Sequence, residues 1–226
     1  MKAEKLEEIR RRLLNSQKVL IGIGGEWRQN ADPKQPEQIT ARPEVAQGYL
    51  SLYELIKDKD YFIVTTVTDG EILNQPFQRD RIVAPCGNVT WKQCENACTK
   101  DIWEDGEIED GRCPHCGAAL VPNTVSCKNY IEEGYLSGWS AYTEWLSRTL
   151  NKTLTVLELG EGFLTPTVIR WPFEKTVFFN RQAWLCRVHH EFPQISEELK
   201  ERAEGIQADS VEWIGSLARP KGKELL

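Results

Sequence analysis

The chain alternates between short apolar runs and amphipathic stretches, with polar or glycine-bearing turns between them. Apolar residues at helical spacing predict a helix over Leu6–Leu14. KVLIGI (18–23) is a continuous apolar run that ends on a glycine-rich turn, and it reads as a buried strand. Residues 28–43 are polar and carry Pro33, Pro36 and Pro43, so a loop is expected there. A second helix follows over Pro43–Lys57, with Val45, Tyr49, Leu52, Leu55 and Ile56 on one face. YFIVTT (61–66) is a second buried strand ending at Asp69-Gly70, and Arg81–Ala84 is a short third one. Beyond it come a helix over Gly138–Leu150, a strand TLTVLEL (153–159) ending at Gly160-Glu161-Gly162, a strand KTVFF (175–179) ending at Asn180, and a helix over Asp209–Leu217.

Strands and helices in alternation predict an α/β fold built on a Rossmann-like parallel sheet with helices on both faces. Ligands of such sheets bind at the carboxyl ends of the strands. The candidate site is therefore assembled from the turns at 22–27, 66–70, 160–166 and 180–182. The turn Gly22-x-Gly24-Gly25 follows the first strand, where backbone amides can meet a pyrophosphate.

Charge and composition narrow the partners. The net charge of −6 argues against a nucleic-acid surface. No apolar run reaches membrane-spanning length, and the chain opens on a charged amphipathic helix, so a cytoplasmic protein that does not contact membranes is expected. Among eight tryptophans, Trp139, Trp145 and Trp171 fall in amphipathic segments and are expected in the core.

Seven cysteines carry the clearest chemical signal. Cys94-x-x-x-Cys98 is followed by Cys113-Pro114-His115-Cys116-Gly117, two knuckles whose spacing suits one Zn²⁺ held by four thiolates. Four sulfurs leave no open coordination position, so the metal is expected to be structural. The knuckles place a zinc-binding module at 89–127, inserted between the two parts of the main domain, 1–88 and 128–226. Cys86, Cys127 and Cys186 fall outside the pattern and are expected to be inert thiols. His115, His189 and His190 are expected at the surface.

In this order the pieces resemble the sirtuins, the NAD-dependent protein deacylases and ADP-ribosyltransferases, over about residues 5–217. VLIGIGGE (19–26) resembles the family's Gly-Ala-Gly-Ile-Ser turn, and IVTTVTDG (63–70) its Thr-Gln-Asn-Ile-Asp-Gly strand end. IVAPCGN (82–88) takes the place of the catalytic His-Gly element. CPHCGAALVPNTVSC (113–127) resembles the second zinc knuckle and its continuation. LELGEGFLTP (157–166) replaces the Gly-Thr-Ser stretch, and VFFN (177–180) the strand with the ribose-contacting Asn. LELGEGFLTPTVIRWPFE is similar to the macrodomain-associated bacterial branch, which is linked to protein ADP-ribosylation and also lacks the histidine.

The resemblance implies a structural zinc, a bound NAD or ADP-ribose, and a protein substrate or partner. It implies cofactor contacts at Gly22, Gly24, Glu26, Thr66, Asp69, Gly160, Gly162 and Asn180, with Asp69 on the nicotinamide carboxamide and Asn180 on the adenosine ribose. Departures gather at the reaction centre. Cys86 stands where the family has its histidine base, and is either a catalytic thiol or a filler. Val67 replaces the asparagine that orients ribose and water, and Cys127 replaces an aromatic wall of the acyl-lysine channel. Glu26 brings a carboxylate to the expected pyrophosphate. The expectation is a nucleotide binder with weak or no deacylase activity. An active NAD-dependent ADP-ribosyltransferase or deacylase, and a zinc-stabilised interaction scaffold favoured by Glu26, stand as alternatives.

Overall fold

A computed structural model describes residues 3–29 and 42–219. Most of the loop expected over 28–43 lies outside the described residues. The elements are helix α1 (Ala3–Asn15), strand β1 (Lys18–Ile23), α2 (Pro43–Ile56), β2 (Asp60–Thr65), β3 (Ile82–Val83), β4 (Gly87–Cys94), β5 (Trp103–Glu104), β6 (Leu120–Thr124), α3 (Glu133–Ser147), β7 (Leu154–Leu159), α4 (Arg170–Phe179), β8 (Ala183–Val188), β9 (Ala203–Ile206) and α5 (Ser210–Ala218).

Six strands form one parallel sheet in the order β3-β2-β1-β7-β8-β9. Each long strand is buried on both faces, which is why its sequence reads as an unbroken apolar run. Val19, Ile21 and Ile23 of β1 pack toward α1, α2 and α5 with Tyr49, Leu52 and Trp213. Leu20 faces the other layer, where α3 and α4 supply Tyr142, Trp145, Ile169, Phe173 and Val177. Strand order runs outward from β1 in one direction and from β7 in the other, so the topological switch point lies between them. Asp209 caps α5 by accepting from the N–H groups of Val211 (2.8 Å) and Glu212 (3.0 Å).

One predicted element is wrong. KTVFF forms the second half of α4, and the strand is AWLCRV (183–188). Ile169, Phe173 and Val177 are buried at four-residue spacing while Trp171, Phe178 and Phe179 are exposed, a helical pattern. The true strand was hidden by Arg187, a charge inside a buried run, whose guanidinium meets Glu158 on neighbouring β7.

The inserted lobe is a three-stranded antiparallel sheet, order β5-β4-β6, within residues 87–124. Its small core is Cys94, Trp103 and Cys113, with Ile108, Ala118 and Leu120 against it. Among the described residues no helix is long and apolar enough to cross a membrane.

Candidate functional site

The carboxyl ends of β1, β2, β7 and β8 enclose a cleft of about 420 Å³. Its walls are the turns 25–28, 160–165 and 189–192, with Thr66 at the end of β2. Trp27 does not fill it. The indole is fully buried beneath the turn, against Tyr49 at 4.8 Å, and its Nε1 donates to Ser210 Oγ at 3.0 Å.

Glu26 forms a clamp on one side of this cleft. One carboxylate oxygen accepts from the N–H (2.8 Å) and Nδ1 (2.5 Å) of His190. The other accepts from the N–H (2.9 Å) and Oγ (2.5 Å) of Ser210, the first residue of α5. Burial pushes this carboxyl up, but the four donors outweigh it and hold the group below the usual glutamate value. The helix N-terminus adds a partial positive charge. The negative charge feared beside a pyrophosphate is thus already answered by protein.

Glu161 is handled differently. It is 2 % exposed and sits at the switch point, where a Cβ on Gly24 would come within 2.5 Å of its Oε2. Among the described residues its carboxyl accepts from two hydroxyls, Thr66 Oγ1 at 2.7 Å and Thr165 Oγ1 at 3.3 Å. Burial, assisted by the Glu158 charge behind it, pushes the Glu161 carboxyl up to about 7 despite those hydroxyls. Thr165 also reaches the Cys86 thiol. Burial and the Glu161 charge push that thiol up, so Cys86 is a protonated thiol near neutral pH and a poor base.

Beneath the cleft lies an ion cluster between β7, β8 and α4. Arg187 grips Glu158 with Nε at 2.6 Å and Nη2 at 2.9 Å, and Glu174 with Nη1 at 2.8 Å. Arg170 approaches Glu158 at 3.4 Å and donates to two carbonyls, Glu161 O (2.9 Å) and Phe192 O (2.8 Å). It also lies 4.3 Å from the centre of the Phe163 ring. One guanidinium therefore ties together two of the three turns that wall the cleft.

His189, expected at the surface, is buried at the end of β8. Its Nδ1 accepts from the N–H groups of Glu191 (2.9 Å) and Phe192 (3.0 Å), which leaves the ring proton on Nε2. That nitrogen lies 3.6 Å from where a Cβ on Gly162 would stand, so a donor points into the cleft. Burial lowers its proton affinity. Glu26, His189 and His190 bring their ligating atoms within 4.8 Å of one another. Their hydrogen bonds make them a clamp: His189 Nδ1 is taken by two amides and Glu26 by four donors. His190 and His115 are exposed, as expected.

The remaining predicted residues divide. Gly160 and Gly162 line the cleft, and Gly160 has φ +68°, which favours glycine. Gly22 does not line the cleft. A Cβ there would stand 2.5 Å from Ile169 and 2.7 Å from Phe173, so this glycine lets α4 pack on the sheet. The space over Gly24 is filled by the Glu161 backbone at 2.3 Å. Asp69 accepts from the N–H groups of Gln29 (2.8 Å) and Glu71 (3.0 Å), holding the loop after β2. Asn180 is misplaced by the misread strand. It follows α4 and donates to Thr149 O and Lys152 O before β7, at the amino ends of β7 and β8, opposite the cleft. The turn that closes the site after β8 is 189–192, not 180–182. Val67 packs into the core. Sequence reasoning passed over Glu161, Thr165, Arg170 and His189. A correctly placed β8 would have flagged His189.

The thiols of Cys94, Cys98, Cys113 and Cys116 lie within 4.8 Å of one another, with the Cys94–Cys116 and Cys98–Cys113 sulfurs 3.5 Å apart. A tetrahedral Zn²⁺ with bonds of about 2.3 Å sets its sulfurs about 3.8 Å apart, so the arrangement fits. Gly117, at φ +72°, lets its N–H turn back to Cys113 O (2.8 Å). Zinc here would tie the two knuckles of the lobe together.

This architecture matches solved structures of Sir2 homologues. The chain superposes on one, a histidine-to-asparagine mutant complexed with ADP-ribose, with a TM-score of 0.56, 12 % identity, and 96 % and 95 % of the two chains covered. It superposes on a Sir2 histidine-to-alanine mutant with a deacetylated p53 peptide and 3′-O-acetyl ADP-ribose at a TM-score of 0.57, 12 % identity and 93 % and 96 % coverage. The fold is Sir2-like, as the sirtuin resemblance implied.

By sequence the chain is 22 % identical over 183 residues to a protein ADP-ribosyltransferase of Staphylococcus aureus. It is 27 % identical over 141 residues to a probable bifunctional ADP-ribose hydrolase/ADP-ribosyltransferase of Fusarium oxysporum f. sp. cubense. It spans 58 % of the first relative's length and 24 % of the second's, and the matches cover 73 % and 53 % of this chain. No family model matches.

Proposed function

We propose that this protein binds NAD or ADP-ribose across the switch-point cleft and has weak or no deacylase activity. The observation that carries the reading is the convergence of three strand-end turns and Thr66 on one cleft whose Glu26 carboxylate is already held by donors from α5 and His190. That weighs against a scaffold without nucleotide. Gly25, Gly160 and Gly162 offer backbone close to a ligand, Arg28 a cation, and His189 Nε2–H a fixed donor. The weakness of deacylation follows from Cys86, a protonated thiol in place of a base, and from Val67, which is committed to the core.

NAD-dependent protein ADP-ribosyl transfer is the second reading, favoured by the names of both sequence relatives. Calorimetric melting with ADP-ribose tests the first. At roughly 100 times Kd the ligand should raise Tm by about 5–10 °C, with nicotinamide release from NAD at background. No shift at any concentration would leave the scaffold. Release above background, with label carried onto a protein, would select the transferase.

A further inference from the structure

We propose that Glu161 decides how the cleft accepts an anion: a nucleoside diphosphate enters with the Glu161 carboxyl protonated, so binding takes up a proton wherever that carboxyl is ionised in the free protein. This rests on the nucleotide reading of the same cleft.

Parallel α/β sheets bind the phosphates of their ligands at the switch point, and Glu161 stands there, over Gly24. Among the described residues no cation contacts its carboxylate oxygens. Arg170, the nearest candidate, spends its N–H groups on the backbone carbonyl of residue 161 and on Phe192 O. A bare buried carboxylate next to a diphosphate is costly, and neutralising it is the cheapest remedy.

The partners of Glu161 suit both states. Thr66 and Thr165 hydroxyls donate to the carboxylate and can accept from the acid. Glu26 has no such freedom, because two of its four donors are backbone N–H groups that cannot accept. The surroundings set the balance. Glu158 presses from β7, Arg170 from α4, and Cys86 lies near through Thr165. Arg28 and His189 face the cleft from the other turns. With the carboxyl poised at about 7, the free protein exists in both forms near neutrality. The pyrophosphate of ADP-ribose is a diester and keeps its charge throughout this range, so the ligand does not supply the proton.

The test is titration calorimetry with ADP-ribose in buffers of differing ionisation heat. If the protonated form alone binds, the affinity at about pH 8.5 is about 30-fold weaker than at about pH 6. Uptake should be about one proton per ligand at the higher pH and about 0.1 at the lower. Glu161→Gln, a neutral group of the same shape, should bind with little pH dependence and near the wild-type acid affinity. Adenosine, which has no phosphate, should show no such dependence in wild type. Wild-type affinity that is flat with pH and proton uptake near zero would overturn the proposal while leaving the nucleotide reading intact. A pH dependence that survives in Glu161→Gln would assign it to His189 or His190 and also overturn it. No binding of ADP-ribose at any pH would sink both. The wild-type proton count needs no variant to fold.

Discussion

Arg170 offers the sharpest test of how the cleft is held. Its guanidinium donates to Glu161 O and Phe192 O and partners buried Glu158. Arg170→Met keeps much of the side-chain volume and removes all three. Each bond from a charged donor contributes about 1.5–3 kcal/mol, and the two carbonyls lose their partner inside the protein. Glu158 keeps Arg187 but loses its second cation. Breaking a buried ion pair one partner at a time costs about 3–5 kcal/mol, and that range is adopted for the whole change because Met refills part of the space. With a urea m-value of about 2–3 kcal/mol/M for a chain of this size, the midpoint should fall by about 1–2.5 M. Arg170→Lys keeps the charge but can reach only one carbonyl, so it should fall between. Urea unfolding followed by tryptophan fluorescence reads both. A midpoint for Arg170→Met within about 0.3 M of wild type would mean that the cluster contributes almost nothing.

Two further outcomes follow from the same contacts. Chelation should unfold the lobe at 87–124 and leave the parallel sheet standing, since the lobe's own core is only Cys94, Trp103 and Cys113 with three partly buried neighbours. Hydrogen exchange with and without chelator reads this, and uniform loss of protection across β1 and β7 would contradict it. Glu26→Gln should destabilise in a pH-dependent way. Burial opposes ionisation of Glu26, but its donors win and hold the folded carboxyl below 4.5, so its contribution is present above that value and lost as pH falls through the folded one. His190, raised above 6.5 by the Glu26 carboxylate, adds a smaller, solvent-screened share that is full below 6.5 and fades as pH rises through its folded value. The difference between wild type and variant should therefore peak between 4.5 and 6.5 in urea titrations, and a constant difference across pH would reject this.

What the sequence disclosed follows from how local each signal is. KVLIGI is bounded by polar and glycine residues and buried on both faces, so its limits were readable to the residue. The zinc cysteines were readable because only thiolates at short spacing make such a knuckle. AWLCRV was not readable, because its Arg187 is compatible with a buried strand only once Glu158 lies alongside, 29 positions away in sequence. KTVFF was misread because three of its five residues are apolar, and periodicity over so short a window does not separate strand from helix. Asn180 inherited that error. Glu161 was seen only as the middle of a glycine turn. Its burial and its two threonine partners come from β2 and from the loop before α4.

The residues that broke the pattern are also the ones that shape the cleft. A buried Glu158–Arg187–Arg170 cluster gives little net stability over an apolar core of equal volume, because desolvation offsets the attraction. Its retention is better explained by placement. Apolar side chains at 158 and 187 would pack, but neither would leave Arg170 bound by a carboxylate below and two turn carbonyls above. Those carbonyls belong to the loops that carry Glu161 and His189. The Arg187 charge that obscured β8, with its Glu158 partner in β7, thus fixes the walls of the site, and conflict between local pattern and global fold marks where function is built.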